Sequence, residues 1–240
     1  MGRLREKLIQ QYAEHYSAVN KRIDDKLADP ATARARQLIY GDLVDSLPPG
    51  SKILDVGCGA GSFLQWVSSK PGVVAKGVDK SWGQVEAARD LLPGVEILCE
   101  DGAEYLRNNS ETFHGIFCMD VLEHIEGEDS LLEWVESAFH ALCEGGFFCC
   151  RMPNAANLTS NYSRYMDITH ERCFTATSAL QLLNAAGLRE CRILPIQAAH
   201  FTGRFRLALE AYVHRIVFRL CGRGSERIFT SNICAVGYRK

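Results

Sequence analysis

Leu4, Leu8, Tyr12, Tyr16, Val19, Ile23 and Leu27 recur at spacings of three and four, the period of an amphipathic helix, and Asp29-Pro30 closes that pattern. A second helix is expected over residues 31–47. Pro48-Pro49-Gly50 then interrupts the chain, and beyond it short apolar runs alternate with helical stretches up to the C terminus. The runs predict strands over 52–56, 73–79, 95–100, 114–120, 146–152, 188–196 and 233–238. Strands alternating with helices imply a parallel sheet covered on both faces, with a ligand beyond the carboxyl ends of its strands. No repeat or low-complexity linker divides the chain. The expected organisation is a helical extension over 1–47 and one α/β domain over 48–240, carrying a polar insertion at 153–174 and a helical one at 203–224.

The first strand runs into Leu54-Asp55-Val56-Gly57-Cys58-Gly59-Ala60-Gly61-Ser62. Glycine has no Cβ, so Gly57, Gly59 and Gly61 can take positive φ and let a ligand lie against backbone amides at a helix N terminus. The spacing is G-x-G-x-G; the dinucleotide pattern would need glycine where Ser62 stands, and no Walker lysine follows. The second strand ends on Asp79, where a nucleotide fold keeps an acid for the ribose hydroxyls and where a turn aspartate is the plainer role. The third ends in Glu100-Asp101-Gly102-Ala103, a carboxylate with nearby amides that also suits a helix N-cap. The fourth ends in Met119-Asp120 and continues into Val121-Leu122-Glu123-His124.

Taken in order over residues 50–152, these four elements resemble the motifs of class I S-adenosylmethionine (SAM) methyltransferases. The resemblance implies a Rossmann-like fold: a seven-stranded, mostly parallel sheet with helices on both faces and an antiparallel last strand. It implies SAM as cofactor and S-adenosylhomocysteine as product, held by Asp55, Gly57, Gly59, Gly61, Asp79, Lys80, Asp101, Gly102, Ala103, Met119 and Asp120. In that family Asp79 would accept from the ribose. Asp101 would accept from the adenine amine while an amide of Gly102 or Ala103 donates to the ring, and the backbone at Met119-Asp120 would meet the methionine end. SAM carries no phosphate, and carboxylates tolerate its sulfonium and ammonium charges.

Displacement at a sulfonium has an activated leaving group, so the protein chiefly aligns the reactants; a hydroxyl acceptor also needs a base. Asp167 and His170 are candidates for a base with its orienting carboxylate, or for a pair that fastens the insertion. His124 is the alternative base, or a histidine holding the loop after the fourth strand. Thr175 is expected to cap the following helix and Gly187 to end it. The run from Asp167 through Thr169-His170-Glu171 to Phe174-Thr175 resembles methyltransferases found among bacterial cell-surface polysaccharide and glycolipid enzymes, and residues 121–124 also resemble ubiquinone-pathway enzymes. The first resemblance implies transfer to a hydroxyl of a sugar, glycan or glycolipid, with Asn154, Asn157, Arg164 and Tyr165 as acceptor contacts. The alternatives are a small-molecule or quinone-like O- or N-methyltransferase, and a non-catalytic SAM-binding module. Tyr16, beside Tyr12 and His15, would face the acceptor if the first helix is a lid; a dimer contact is that helix's other role.

Composition narrows the partners. With 27 basic and 29 acidic side chains, the net charge of -2 offers no field for nucleic acid. The ten cysteines lack C-x-x-C spacing and sit in apolar runs, so buried thiols are expected and no metal centre. No signal peptide or membrane-spanning run is present, and a cytoplasmic protein is expected. Within 203–224, Arg215, Arg219 and Arg223 form a stripe beside Leu209, Tyr212, Val213, Ile216, Val217 and Leu220. Such a helix either lies on an anionic membrane, at its inner face, or packs on the sheet with its arginines in water.

Overall fold

The computed structural model describes residues 7, 8, 11 and 29–240; the expected first helix, with Tyr12, His15 and Tyr16, lies outside them. Helix α1, Pro30–Asp45, opens on Asp29, whose carboxylate accepts from the amides of Ala31 and Thr32 at 3.0 and 3.1 Å while Pro30 needs no partner. Asp29-Pro30 thus starts a helix as well as closing the pattern before it.

From there the chain runs β1 Ser51–Val56, α2 Ser62–Ser68, β2 Val73–Asp79, α3 Trp82–Leu91, β3 Glu96–Cys99, α4 Gly102–Arg107 and β4 Phe113–Met119. A 3-10 turn at Leu122–His124 leads to α5 Glu128–Ala141, β5 Leu142–Pro153, α6 Ser160–Met166, α7 Ala176–Ala185, β6 Arg189–Leu194, α8 Phe201–Leu220 and β7 Asn232–Tyr238. All seven strands join one sheet in the order β3-β2-β1-β4-β5-β7-β6, with β7 antiparallel to both neighbours. The chain winds outward from β1 through β2 to β3, then restarts at β4 on the other side of β1. The switch point therefore lies between the carboxyl ends of β1 and β4.

Two-residue periodicity assigns the faces. Phe117 on β4 and Phe147 and Cys149 on β5 point to one side, where they pack with Tyr40 and Val44 of α1 and Phe63, Trp66 and Val67 of α2. Ile116, Cys118, Phe148, Cys150 and Met152 point to the other, against Trp134, Val135 and Ala138 of α5 and Leu183 of α7. Edge-to-face contacts link Tyr40 to Phe63 at 5.3 Å and Phe63 to Phe117 at 4.9 Å, each worth roughly 0.5–1.5 kcal/mol beyond burial. Helix α1, expected as an extension, is thereby part of the core. All ten cysteines are free, and burial pushes the thiols of Cys118, Cys149 and Cys150 well up, so they behave as small apolar groups.

Two boundaries differ from expectation. Strand β5 starts at Leu142, paired with Phe113 ahead of a register shift, so an interruption at Glu144-Gly145 conceals its first residues. The polar insertion contains helix α6, and its neck is closed by a bridge between Asn154 and Phe174.

Candidate active site

A cleft of about 840 Å³ opens at the switch point, lined by α1 and the ends of β1, β2 and β4, within the size range of small-molecule sites. Its floor is the glycine turn. Gly57 and Cys58 both donate to Val78 O, at 2.7 and 3.1 Å, folding the turn back onto β2. Gly57 has φ +74°, and a Cβ there would stand 2.3 Å from Val121 Cγ2, so only glycine fits. Asp79 is held by two amides, Gly59 N to Oδ2 at 2.9 Å and Ser81 N to Oδ1 at 2.8 Å. Each of its oxygens keeps a lone pair for a further donor.

Asp55 is buried, and neither carboxylate oxygen has a hydrogen-bond partner. Burial pushes its carboxyl up to about 7, and Asp79 adds to that while Arg36 and Arg151 oppose it. An orphaned carboxylate in a cleft wall fits a ligand that brings cationic charge. Asp101 caps α4, accepting from Ala103 and Glu104 at 3.0 and 3.2 Å, and also lines the cleft, so capping does not remove it from the cleft wall. Lys80, Gly102, Ala103, Met119 and Asp120 line it too. Asp120 takes φ +59°, rare for a residue with a Cβ. Arg151 holds it there in a two-pronged ion pair, Nε to Oδ1 at 2.9 Å and Nη2 to Oδ2.

Gly61 is the exception among the expected cofactor residues. It is the N-cap of α2 at φ +83°, and a Cβ would press on Ala88 Cβ at 3.2 Å. Its smallness lets α2 approach α3 and does not serve the cleft wall. Residues the sequence reading missed include Arg36, which donates to Ser62 O and Oγ at 2.6 and 2.8 Å, and Arg151. The latter left a signal, as the one charge within the apolar run 147–152. Arg36 left none, because nothing local distinguishes it from Arg34 two residues before it.

On the opposite wall, His124 Nδ1 lies 2.8 Å from Thr169 Oγ1. The Thr169 hydroxyl donates to Asp167 Oδ1 at 2.7 Å, and Thr169 N reaches the same oxygen at 2.8 Å. Burial alone would raise the Asp167 carboxyl, but these two bonds hold it below the ordinary range. With the hydroxyl proton committed to Asp167, Nδ1 of His124 is assigned as the donor and Nε2 as the basic nitrogen. The expected pairing of Asp167 with His170 is replaced by a relay, Asp167 to Thr169 to His124. His170 is buried, with Nδ1 turned to Ser163 O at 2.8 Å, and packs edge-on against His124 at 4.7 Å. His124 and Thr169 line the cleft.

Beside them Glu123 is buried with Oε2 unpartnered, and its carboxyl is pushed well up by burial and by Asp120. Glu123, His124 and His170 each offer a ligand atom within 4.8 Å of the others, a nitrogen and oxygen donor set that suits a divalent transition ion.

The remaining acceptor expectations need correction. Asn154 is fully buried; its amide donates to Ile228 O and Thr230 O at 2.9 and 2.8 Å and its oxygen accepts from Ala156 N. Asn157 is likewise consumed, donating to Glu210 Oε1 and Phe229 O, each at 2.7 Å, and accepting from Thr159. Both tie the insertion to the segment before β7, leaving no group to offer a sugar. Arg164 stacks on Tyr165 at 5.2 Å, and that exposed ring stands away from the cleft lining.

The reversed last strand, the switch-point cleft and the carboxylates at three strand ends define a class I SAM-dependent methyltransferase. A family profile described as a methyltransferase domain matches residues 26–190, and the chain belongs to that family. It is similar to a trans-aconitate 2-methyltransferase of Paracidovorax citrulli, 26% identical over 57% of this chain and 49% of that protein. It is also similar to a tRNA (carboxymethyluridine(34)-5-O)-methyltransferase of Saccharomyces cerevisiae, 32% identical over 45% of this chain and 37% of that one. The matches thus span half or less of these relatives' own lengths. A SAM-dependent methyltransferase from Archaeoglobus fulgidus shares the fold with a TM-score of 0.64, at 18% identity over 85% of this chain and 92% of that one. SAM is the cofactor, and Asp55 and Asp79 are the residues whose geometry fits its cationic end and its ribose.

Proposed function

We propose that the protein transfers the methyl group of SAM to a hydroxyl oxygen, on a sugar, glycan or glycolipid-type acceptor. The observation that supports it is the relay from Asp167 through Thr169 to His124 on the cleft wall. An acceptor that is already anionic needs no base, whereas a neutral hydroxyl must lose its proton as the new bond forms. In this reading His124 Nε2 takes that proton, and Asp167 stabilises the resulting imidazolium through the threonine. His124→Ala should leave S-adenosylhomocysteine affinity intact and lower transfer by about 10²–10⁴-fold; unchanged transfer would remove the base from this position. Mass spectrometry of surface glycans from cells with and without the protein should show a single-methyl increment. Its absence there, with turnover on a small phenolic acceptor, would favour the small-molecule reading.

A second reading is favoured by the unpartnered Oε2 of Glu123. A divalent ion held by Glu123, His124 and His170 would take the place of the base by acidifying a bound hydroxyl. Activity lost on chelation and restored by added metal would select this reading, and indifference to a chelator would select the first.

A further inference from the structure

Helix α8 leaves most of its large apolar residues in solvent. Phe201, Phe205, Leu209, Tyr212, Ile216 and Leu220 follow one another at intervals of three and four, a single stripe along the helix, and every one is exposed, from 43% at Ile216 to 83% at Leu220. The side turned toward the protein is mixed: Leu207, Ala211, Val217 and Phe218 are half-buried there, Phe218 against Phe229, beside two polar groups. His214 is buried, accepting from Leu158 N at 2.9 Å and stacking on Phe229, and Glu210 accepts from Asn157. A surface helix ordinarily keeps such a stripe against the protein, so the exposed one calls for an occupant.

Charge decides which. Arg204, Arg206, Arg215 and Arg219 flank or punctuate the stripe and Arg223 follows it, all exposed, against one acidic residue in the helix, Glu210, which faces inward. Residues 1–28 are themselves net basic, with six Lys and Arg against four acidic side chains. Neither that segment nor a second copy of the same helix complements such a rim. An anionic surface does. No described helix is long and apolar enough to cross a membrane, but twenty residues lying flat would cover about 30 Å of interface, with arginines reaching the headgroups around buried rings.

We propose that α8 is a membrane-docking helix that seats the protein on anionic phospholipid. Leu158, Tyr162, Tyr165 and Ile168 are further large apolar residues, each more than half exposed, on the insertion that Asn157 and Leu158 bind to α8. That insertion also supplies Thr169 to the cleft, so docking would present the acceptor wall to the bilayer. The proposal stands on the helix alone and survives if the acceptor proves not to be a glycolipid.

The test is flotation of the full chain with phosphatidylcholine vesicles, with and without phosphatidylglycerol. Binding should require phosphatidylglycerol and weaken with salt, because surface charges are screened over about 8 Å at physiological ionic strength. Phe205→Ser with Leu209→Ser, and separately Arg215→Glu with Arg219→Glu, should each reduce it at least tenfold while S-adenosylhomocysteine binding stays unchanged. Absence of binding to anionic vesicles would overturn the proposal. So would a dimer that the Phe205→Ser, Leu209→Ser variant dissociates, or a loss of thermal stability in that variant without any lipid binding, which would assign the face to a second copy or to residues 1–28.

Discussion

Asp55 is the residue on which burial and charge compete most directly. Its carboxyl titrates near 3.9 in an unfolded chain and at about 7 when folded, so between those values the folded protein keeps a proton that the unfolded chain has released. The contribution to stability is complete below about pH 4 and is lost as pH rises toward 7, by at most about 1.4 kcal/mol per pH unit. Asp55→Asn should therefore be more stable than the parent at about pH 8 without cofactor and equal to it near pH 4; urea unfolding at both pH values checks this. Cofactor affinity runs the other way, since a cationic ligand favours the ionised acid. SAM binding should tighten between about pH 6 and 8 in the parent and stay flat in the variant. At the neighbouring turn, Gly57→Ala combines a positive φ with a clash against Val121. A loss of roughly 1–3 kcal/mol in stability, with weaker cofactor binding, is expected in the same unfolding and titration experiments.

Elements carry the acceptor wall. Helix α7 begins with a reciprocal cap in which Ser178 N donates to Thr175 Oγ1 at 3.1 Å and Thr175 N to Ser178 Oγ at 2.9 Å, and it ends before Gly187 at φ +95°. Both were readable in the sequence, because capping residues act locally. Thr175→Ala should cost about 1 kcal/mol in urea unfolding and reduce turnover more than cofactor affinity, since the insertion that delivers Thr169 is anchored at this cap. The pairing of Asp167 was not readable. Residues 167, 169 and 170 sit in one short loop, and which histidine the carboxylate serves depends on how that loop meets the turn at Leu122–His124, a contact across more than forty residues. Asn154 and Asn157 misled for a related reason: polar residues after a strand read as loop material, whereas here they satisfy the buried backbone of the segment leading into β7.

At the scale of the whole molecule, the apolar runs were enough for all seven strands, because β1, β4, β5 and β7 are buried on both faces and the others are short runs bounded by turn residues. Strand order is non-local and was not legible in the sequence; the reversal of β7 is non-local too, and came from resemblance. The sheet also explains why the cleft is assembled from distant parts. Parallel strands end on one edge, so Asp55, Asp79 and Asp101 arrive together although they belong to three separate strand ends, and β5 sends Arg151 across to hold Asp120. Arg36 joins them because α1 packs on the same core through Tyr40 and Val44.

The central claim is that these strand ends grip a sulfonium nucleoside. Calorimetric titration of the protein with S-adenosylhomocysteine, in the parent and in Asp79→Ala, tests it most directly. One site per chain at micromolar strength, roughly -8 kcal/mol, is expected, weakened by roughly 1.5–3 kcal/mol when the Asp79 carboxylate is removed. Absence of binding in the parent, or equal binding in the variant, would contradict it.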